Sequence, residues 1–263
     1  MNSLAEYKNS SPVKFCILVF LYAIGAASLP SIPEQFFNLK SINAVLILYF
    51  VLKTATVIFP LYIIKSVGYG DQFRIRGGKF LKSSLLLLPL VIVAINNFPI
   101  VAIISGSARL ENKGITYFYY GLVCLSIAIY EEVIFRGIIY RVIGEKKKDI
   151  WAIIISSLVF SAAHLINAFS LSIGYLLMQL GYSFLIGAMC CVAYRYSGRI
   201  FLPILLHFIY DFGGLLTEYE LVIGDIWDTA SIVATAIIAV VAFIYTVTVY
   251  FLKEKNESGN SES

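Results

Sequence analysis

Ionisable side chains cluster in one apolar stretch of this chain. Two adjacent acids, Glu131 and Glu132, and the nearby Arg136 lie inside a run of mostly apolar residues from about Gly114 to Ile143. A carboxylate within reach of a reacting group can take up and return a proton, so a free one is a candidate general base. Because ionised side chains in so apolar a segment are costly, three of them close together indicate a functional site.

Helical spacing distinguishes the two acids. At about 100° per residue, Glu132 and Arg136 lie four apart on one helical face and can neutralise each other. Glu131 points away from that pair. The spacing therefore predicts a structural ion pair between Glu132 and Arg136, and it leaves Glu131 for another partner.

Both histidines of the chain, His164 and His207, also lie in apolar runs. Phe160 precedes His164 by four residues and Asp211 follows His207 by four, so the members of each pair share a helical face. Imidazoles and carboxylates are the usual groups that move protons in catalysis. We therefore expect three helices to bring these side chains and Glu131 to one polar site.

Composition points to a membrane protein. Hydrophobic residues make up 59% of the 263 residues and charged residues 14%, with a mean hydropathy of +0.84. These values exclude an ordinary soluble domain and predict an all-α, polytopic helical bundle that forms a single domain over residues 1–263. The net charge of +4 comes from basic residues scattered over loops, so we expect no nucleic-acid partner. Four cysteines without CxxC spacing predict neither a disulfide framework nor a zinc knuckle.

About eight apolar segments are long enough to cross a bilayer. They cover approximately residues 13–29, 41–64, 80–105, 114–143, 149–168, 170–194, 200–216 and 226–252. The first could alternatively be a signal peptide, since Ala26-Ala27-Ser28 is similar to a cleavage site. The polar tail at residues 254–263 is predicted to be disordered.

Basic residues predict the orientation of these segments. Of the 20 lysines and arginines, Lys53 and Arg136 fall within segments, and the loops on one side hold only Lys40, Arg109 and Lys113. The others lie on the opposite side, together with both termini, so the positive-inside rule predicts that both termini are cytoplasmic. For Lys53 two interpretations stay open, a structural ion pair or snorkelling chain and a part of a polar cavity.

The motifs, taken in order, resemble the CPBP intramembrane proteases, a family that includes CAAX proteases and bacteriocin-processing proteins. The resemblance rests on Glu131-Glu132-x-x-x-Arg136, Phe160-x-x-x-His164, His207-x-x-x-Asp211, Phe184-Leu185-Ile186-Gly187, Arg195-Tyr196-Ser197-Gly198-Arg199 and Pro203. It implies a helical bundle of typically eight spans, a core at about residues 114–216, a polar site at membrane depth and endopeptidase activity.

Residue roles follow as hypotheses. Glu131 would be the general base, His164 would help to hold the attacking water, and His207, steered by Asp211, would face the substrate carbonyl. The remaining motif residues, Glu132, Arg136 and Phe160, would support the site.

Whether a metal takes part is left open by the residue types. Two histidines and a glutamate are an accepted zinc ligand set, so Glu131, His164, His207 and Asp211 would be the ligands if a metal is bound. However, HExxH is absent, and ligation of Glu131 would remove the obvious base. We therefore favour a glutamate mechanism without a metal or other cofactor.

Two other functions compete with proteolysis. Buried Glu, His and Asp also line transporter and proton paths, and a motif of this kind could belong to a non-catalytic interaction or bacteriocin-immunity protein. For a protease, the expected partners are membrane lipid and a hydrophobic or lipidated peptide substrate. Abundant Ile, Lys, Asn and Tyr suggest an AT-rich bacterium, and therefore a bacterial plasma membrane and a peptide-processing role.

Overall fold

All regular elements in the described part of the chain are helical. A computed structural model describes residues 3–29, 40–74, 91–92, 94–95, 114–219, 233, 236–248 and 250–251. The predicted all-α class is confirmed for these residues. Most of the predicted third and eighth spans, and the whole of the predicted disordered tail at 254–263, lie outside them.

The described elements follow the predicted segments closely. They are α1 (Ser3–Ser10), α2 (Pro12–Ser28), α3 (Ile42–Ser66), a 3-10 turn (Gly70–Phe73), α4 (Gly114–Ile134), α5 (Asp149–Ala163), α6 (Ile173–Ser197), α7 (Phe201–Tyr219) and α8 (Ala236–Thr248). Two helices change type as they continue. α4 passes through a π-helical segment (Phe135–Tyr140) into an α-helical turn (Arg141–Gly144), and α5 passes into a 3-10 helix (His164–Phe169).

Three described helices are long and apolar enough to cross a membrane, namely Ile42–Ser66, Asp149–Phe169 and Ile173–Ser197. Helices α1 and α2 meet at a bend of 115° and would together make a fourth. Many large apolar side chains face outward, such as Ile58 at 69% and Ile173 at 71% exposure, as a lipid environment requires. The predicted count of eight spans and the cytoplasmic position of the termini stay predictions.

Helix α1 was not predicted, and a short ion-pair cluster holds it in place. Lys8 Nζ lies 2.8 Å from Glu145 Oε2, and the Tyr69 hydroxyl donates to Glu145 Oε1 at 2.7 Å. Burial alone would raise the pKa of Glu145, but hydrogen bonds from Lys8 and Tyr69 outweigh it and lower that pKa. The bend before α2 begins with Pro12 in its first turn, a position that suits proline because no helical partner is needed for its nitrogen.

Helix α4 is the central element of the described bundle. It packs against α3 and α7, while α5 and α6 pack on each other and α5 also packs on the π-helical segment. All six side chains of that segment are buried. The part of α4 that carries the clustered charges therefore has protein, not lipid, around it.

The π-helical segment is stabilised by side chains from other elements. In a π-helix the regular hydrogen-bond ladder is shifted, and such segments occur mostly as single turns at functional sites. Here the Ser156 hydroxyl of α5 donates to the Phe135 carbonyl at 2.9 Å, and Gln72 Nε2 donates to the Gly137 carbonyl at 3.4 Å. Gln72 is 1% exposed, so a turn between helices reaches into the core to make this contact.

Gly137 permits that close approach. A Cβ atom at this position would lie 3.1 Å from Gln72 Oε1 and equally close to side-chain carbons of Ile64 and Ile200. The turn at Gly70–Phe73 is in turn held by Arg199 Nη1, which donates to the Asp71 carbonyl at 2.7 Å. The π-helical segment is thus packed between α3, the turn and the start of α7.

Two adjacent serines of α5 allow a test of the π-helical support. Ser156→Ala removes the donor to the Phe135 carbonyl, and leaving a buried carbonyl unpaired costs about 1–3 kcal/mol. Ser157 is equally buried but donates to Ile153 of its own helix at 2.6 Å, and loss of such a bond is expected to be near neutral. We therefore expect Ser156→Ala, and not Ser157→Ala, to lower the free energy of unfolding, measured by SDS titration in mixed micelles. Equal losses would contradict the support role.

Candidate active site

The ion pair that helical spacing predicts on α4 is present and fully buried. Arg136 Nη1 donates to Glu132 Oε1 at 2.8 Å, and both side chains have 0% exposure. Arg136 Nη2 also donates to the Gly187 carbonyl of α6 at 3.0 Å. Its guanidinium carbon lies 4.4 Å from the centroid of the Phe160 ring on α5. One arginine therefore fastens α4 to α5 and α6.

Glu132 has a second partner that the sequence did not predict. His207 Nδ1 on α7 lies 2.8 Å from the same Glu132 oxygen that accepts from Arg136. A carboxylate only accepts hydrogen bonds, and Arg136 stabilises Glu132 in that form, so Nδ1 is the donor. The contact fixes the ring orientation and turns Nε2 away from the Glu132–Arg136 pair.

The position of His207 follows from the short connection between α6 and α7. Gly198 ends α6 in the left-handed conformation at φ 61°, and its N–H bonds back to the Tyr194 carbonyl at 2.8 Å. This form of helix ending favours glycine. The chain turns at once into α7, which returns beside α6 and directs His207 toward α4.

Two further carboxylates lie on the Nε2 side of His207. Asp211 Oδ2 is 3.3 Å from Nε2, and Glu131 Oε2 is 3.7 Å from it, beyond hydrogen-bonding distance. Their side chains are 27% and 19% exposed, whereas that of His207 is 5% exposed. The imidazole therefore separates a sealed side, with Glu132 and Arg136, from an accessible side.

His164 does not join these contacts directly. It begins the 3-10 helix after α5, and its Nδ1 lies 3.1 Å from the Phe160 carbonyl. Because a carbonyl only accepts, Nδ1 carries the proton and Nε2 is left for another partner. The Phe160 ring meets both imidazoles edge-on, with centroid distances of 5.1 Å to His164 and 5.8 Å to His207. Phe160 thus connects the two histidines.

The predicted metal ligands do not form a metal site in this arrangement. Within the described ranges, no three His, Cys, Asp or Glu side chains are grouped so that they could hold a metal ion. His164 makes no ion pair with any carboxylate of those ranges. The donor set therefore does not fit a resident metal.

Three supporting residues escaped the sequence analysis. Ser156 and Gln72 hold the π-helical segment, and the Gly187 carbonyl accepts from Arg136. A polar serine in an apolar span was a usable signal for Ser156. For Gln72 no signal was present, because its contact joins residues 65 positions apart.

Gly187 offers a test of how tightly the site is packed. An added Cβ would lie 3.3 Å from Arg136 Nη2 and from the Ser157 backbone, and 3.2 Å from Phe160. We expect Gly187→Ala to displace Arg136 and to cost about 1–3 kcal/mol by overpacking. Gly181→Ala on the same helix meets nothing within 4 Å and should be stabilising by about 0.5–1 kcal/mol. SDS titration of both variants checks this, and a stabilised Gly187→Ala would show that the site is loosely packed.

Comparison with known proteins agrees with this geometry. Residues 113–213 match the family model for type II CAAX prenyl endopeptidase Rce1-like, a range that includes all the site residues above. No curated protein matches the sequence. Membership of this family supports a membrane-embedded peptidase. Residues 113–213 therefore carry an Rce1-like type II CAAX prenyl endopeptidase domain, in agreement with the predicted membership of the CPBP group.

Proposed function

We propose that the protein is an intramembrane endopeptidase that hydrolyses a hydrophobic or lipidated peptide. One observation carries the proposal: a partly exposed carboxylate, Glu131, lies 3.7 Å from an imidazole nitrogen whose ring is fixed from behind by a sealed Glu132–Arg136 pair. The family match independently supports peptidase chemistry.

In the proposed reaction Glu131 acts as general base. Its carboxylate takes a proton from water while the water oxygen attacks the carbonyl carbon of the substrate. The same proton is then given to the peptide nitrogen as the carbon–nitrogen bond breaks, so that a carboxylic acid and an amine leave. His164 helps to hold the water through Nε2, the nitrogen that the contact with Phe160 leaves available. Positioned proton transfer of this kind contributes about 10²–10⁴-fold to rate.

His207 stabilises the negative charge that develops on the substrate oxygen. With Nδ1 donating to Glu132, a protonated ring presents its second N–H at Nε2, where the ring is already oriented before the substrate arrives. Asp211 lies at this same nitrogen. Since Glu132 orients the ring, the location of Asp211 favours a role in holding the Nε2 proton until the substrate oxygen replaces it.

The membrane arrangement is part of the proposal. Eight spans would place both termini in the cytoplasm and the site within a single domain, in a bacterial plasma membrane. The apolar helices among the described residues and the one-sided distribution of lysine and arginine support it.

Replacing the base tests the function. Purified protein in liposomes would be given a quenched fluorescent peptide with a prenylated C-terminal cysteine motif, and in parallel the same peptide without its lipid. We expect Glu131→Gln to reduce cleavage by about 10²–10⁴-fold, because the amide cannot take up the proton. Glu145→Gln, a carboxylate outside the site, is the matched control. Wild-type rates in Glu131→Gln would refute the base assignment.

In cells, membrane peptides can be compared between strains that express the wild-type protein and the Glu131→Ala variant. A precursor that accumulates only with Glu131→Ala identifies the natural substrate. If normal amounts of Glu131→Ala give an unchanged phenotype and peptide pattern, a non-catalytic interaction role is favoured instead.

Metal dependence is a separate measurement. Because the described ligand set does not fit a metal and Glu131 serves as base, we expect cleavage to continue after exhaustive treatment with a chelator. Activity that is lost and then restored by added zinc would contradict this mechanism.

A further inference from the structure

A buried lysine near the site has no part in the reaction described above. Lys53 lies in the middle of α3, within a span, and is 2% exposed. A cation at such a position is expensive and usually marks function or a specific partner. Its surroundings indicate which.

The ammonium group of Lys53 rests on an aromatic ring next to the proposed base. Lys53 Nζ lies 3.9 Å from the centroid of the Tyr130 ring, within the range of a cation–π contact. Tyr130 immediately precedes Glu131 on α4, so the cation is held at the same helical turn as that carboxylate.

Helix α2 fixes this aromatic platform. The Tyr130 hydroxyl donates to the Ala23 carbonyl at 2.7 Å, and the Tyr22 hydroxyl donates to the Thr56 carbonyl at 2.6 Å. Thr56 Oγ1 in turn donates to the Lys53 carbonyl at 2.7 Å. These contacts join α2, α3 and α4 around Lys53, and the cation is therefore directed by a rigid frame.

Among the described residues, Glu131 is the carboxylate whose charge acts on Lys53. The two groups do not form an ion pair, so Glu131 is attracted without being occupied. It needs such a partner, because Arg136 is already paired with Glu132 while Asp211 adds a second negative charge beside His207. Attraction between charges remains strong at this range when water is largely excluded.

We propose that Lys53, held on the Tyr130 ring, is the positioning residue that keeps the Glu131 carboxylate directed toward His207. The inference rests on the proposed role of Glu131 as base. Lys53 acts through Glu131 and does not touch the substrate.

Kinetics separate a positioning role from a merely structural one. We expect Lys53→Met to lower kcat by about 10²-fold, the size of effect that a small misplacement of a catalytic group produces, with KM changed by less than about threefold. Lys53→Arg keeps the cation and should recover part of kcat. Tyr130→Leu removes the ring and should lower kcat more than Tyr130→Phe does. Lys65→Met, at an exposed lysine of the same helix, is the matched control with unchanged kinetics.

A second measurement does not depend on proteolysis. SDS titration of Lys53→Met, Glu131→Gln and the double variant forms a cycle, and we expect the double variant to lose less stability than the two single losses added together. Non-additivity supports the pairing even if neither test peptide is cleaved, and additivity overturns it. If Glu131→Gln is inactive while Lys53→Met keeps its kcat, the protease proposal stands and the role of Lys53 falls.

Discussion

The buried ion pair of Glu132 and Arg136 is the interaction on which the site depends. Two opposite charges with no exposure are stable only when geometry and additional hydrogen bonds repay the loss of solvent. The repayment comes from three other helices, through the Gly187 carbonyl, the Phe160 ring and His207. The charge pair thus imposes one relative arrangement on α4, α5, α6 and α7, and that arrangement defines the catalytic geometry.

The same pair gives His207 its two different sides. Glu132 accepts at Nδ1, so that nitrogen cannot serve the substrate, and Nε2 faces the partly exposed Glu131 and Asp211. A histidine oriented by an anchored carboxylate needs little rearrangement during the reaction, which is what electrostatic preorganisation requires. The charge that appears structural in the sequence is therefore also responsible for orienting a group of the site.

How far the sequence predicted this structure depends on the range of each contact. The Glu132–Arg136 pair was predictable because both residues lie on one helix at a fixed spacing. The contact of Glu132 with His207 was not, since it depends on how α7 packs on α4 across 75 positions. Helix α1 could have been found from Ser11-Pro12, a common helix start. The π-helical segment has no comparable signature, because its stability comes from Ser156 and Gln72 and not from its own residues.

The π-helical segment has a consequence for changes in chain length. A π-turn corresponds to one residue more than a regular α-helical turn holds, so removing a single residue between Phe135 and Tyr140 would restore the ordinary ladder. Everything C-terminal to the cut would then rotate by about 100° relative to the glutamates. Arg141 would leave Asp71, to which it lies 2.7 Å away, and Lys8 would lose Glu145. Point substitutions test individual contacts, whereas a one-residue deletion here would uncouple the two ends of the helix.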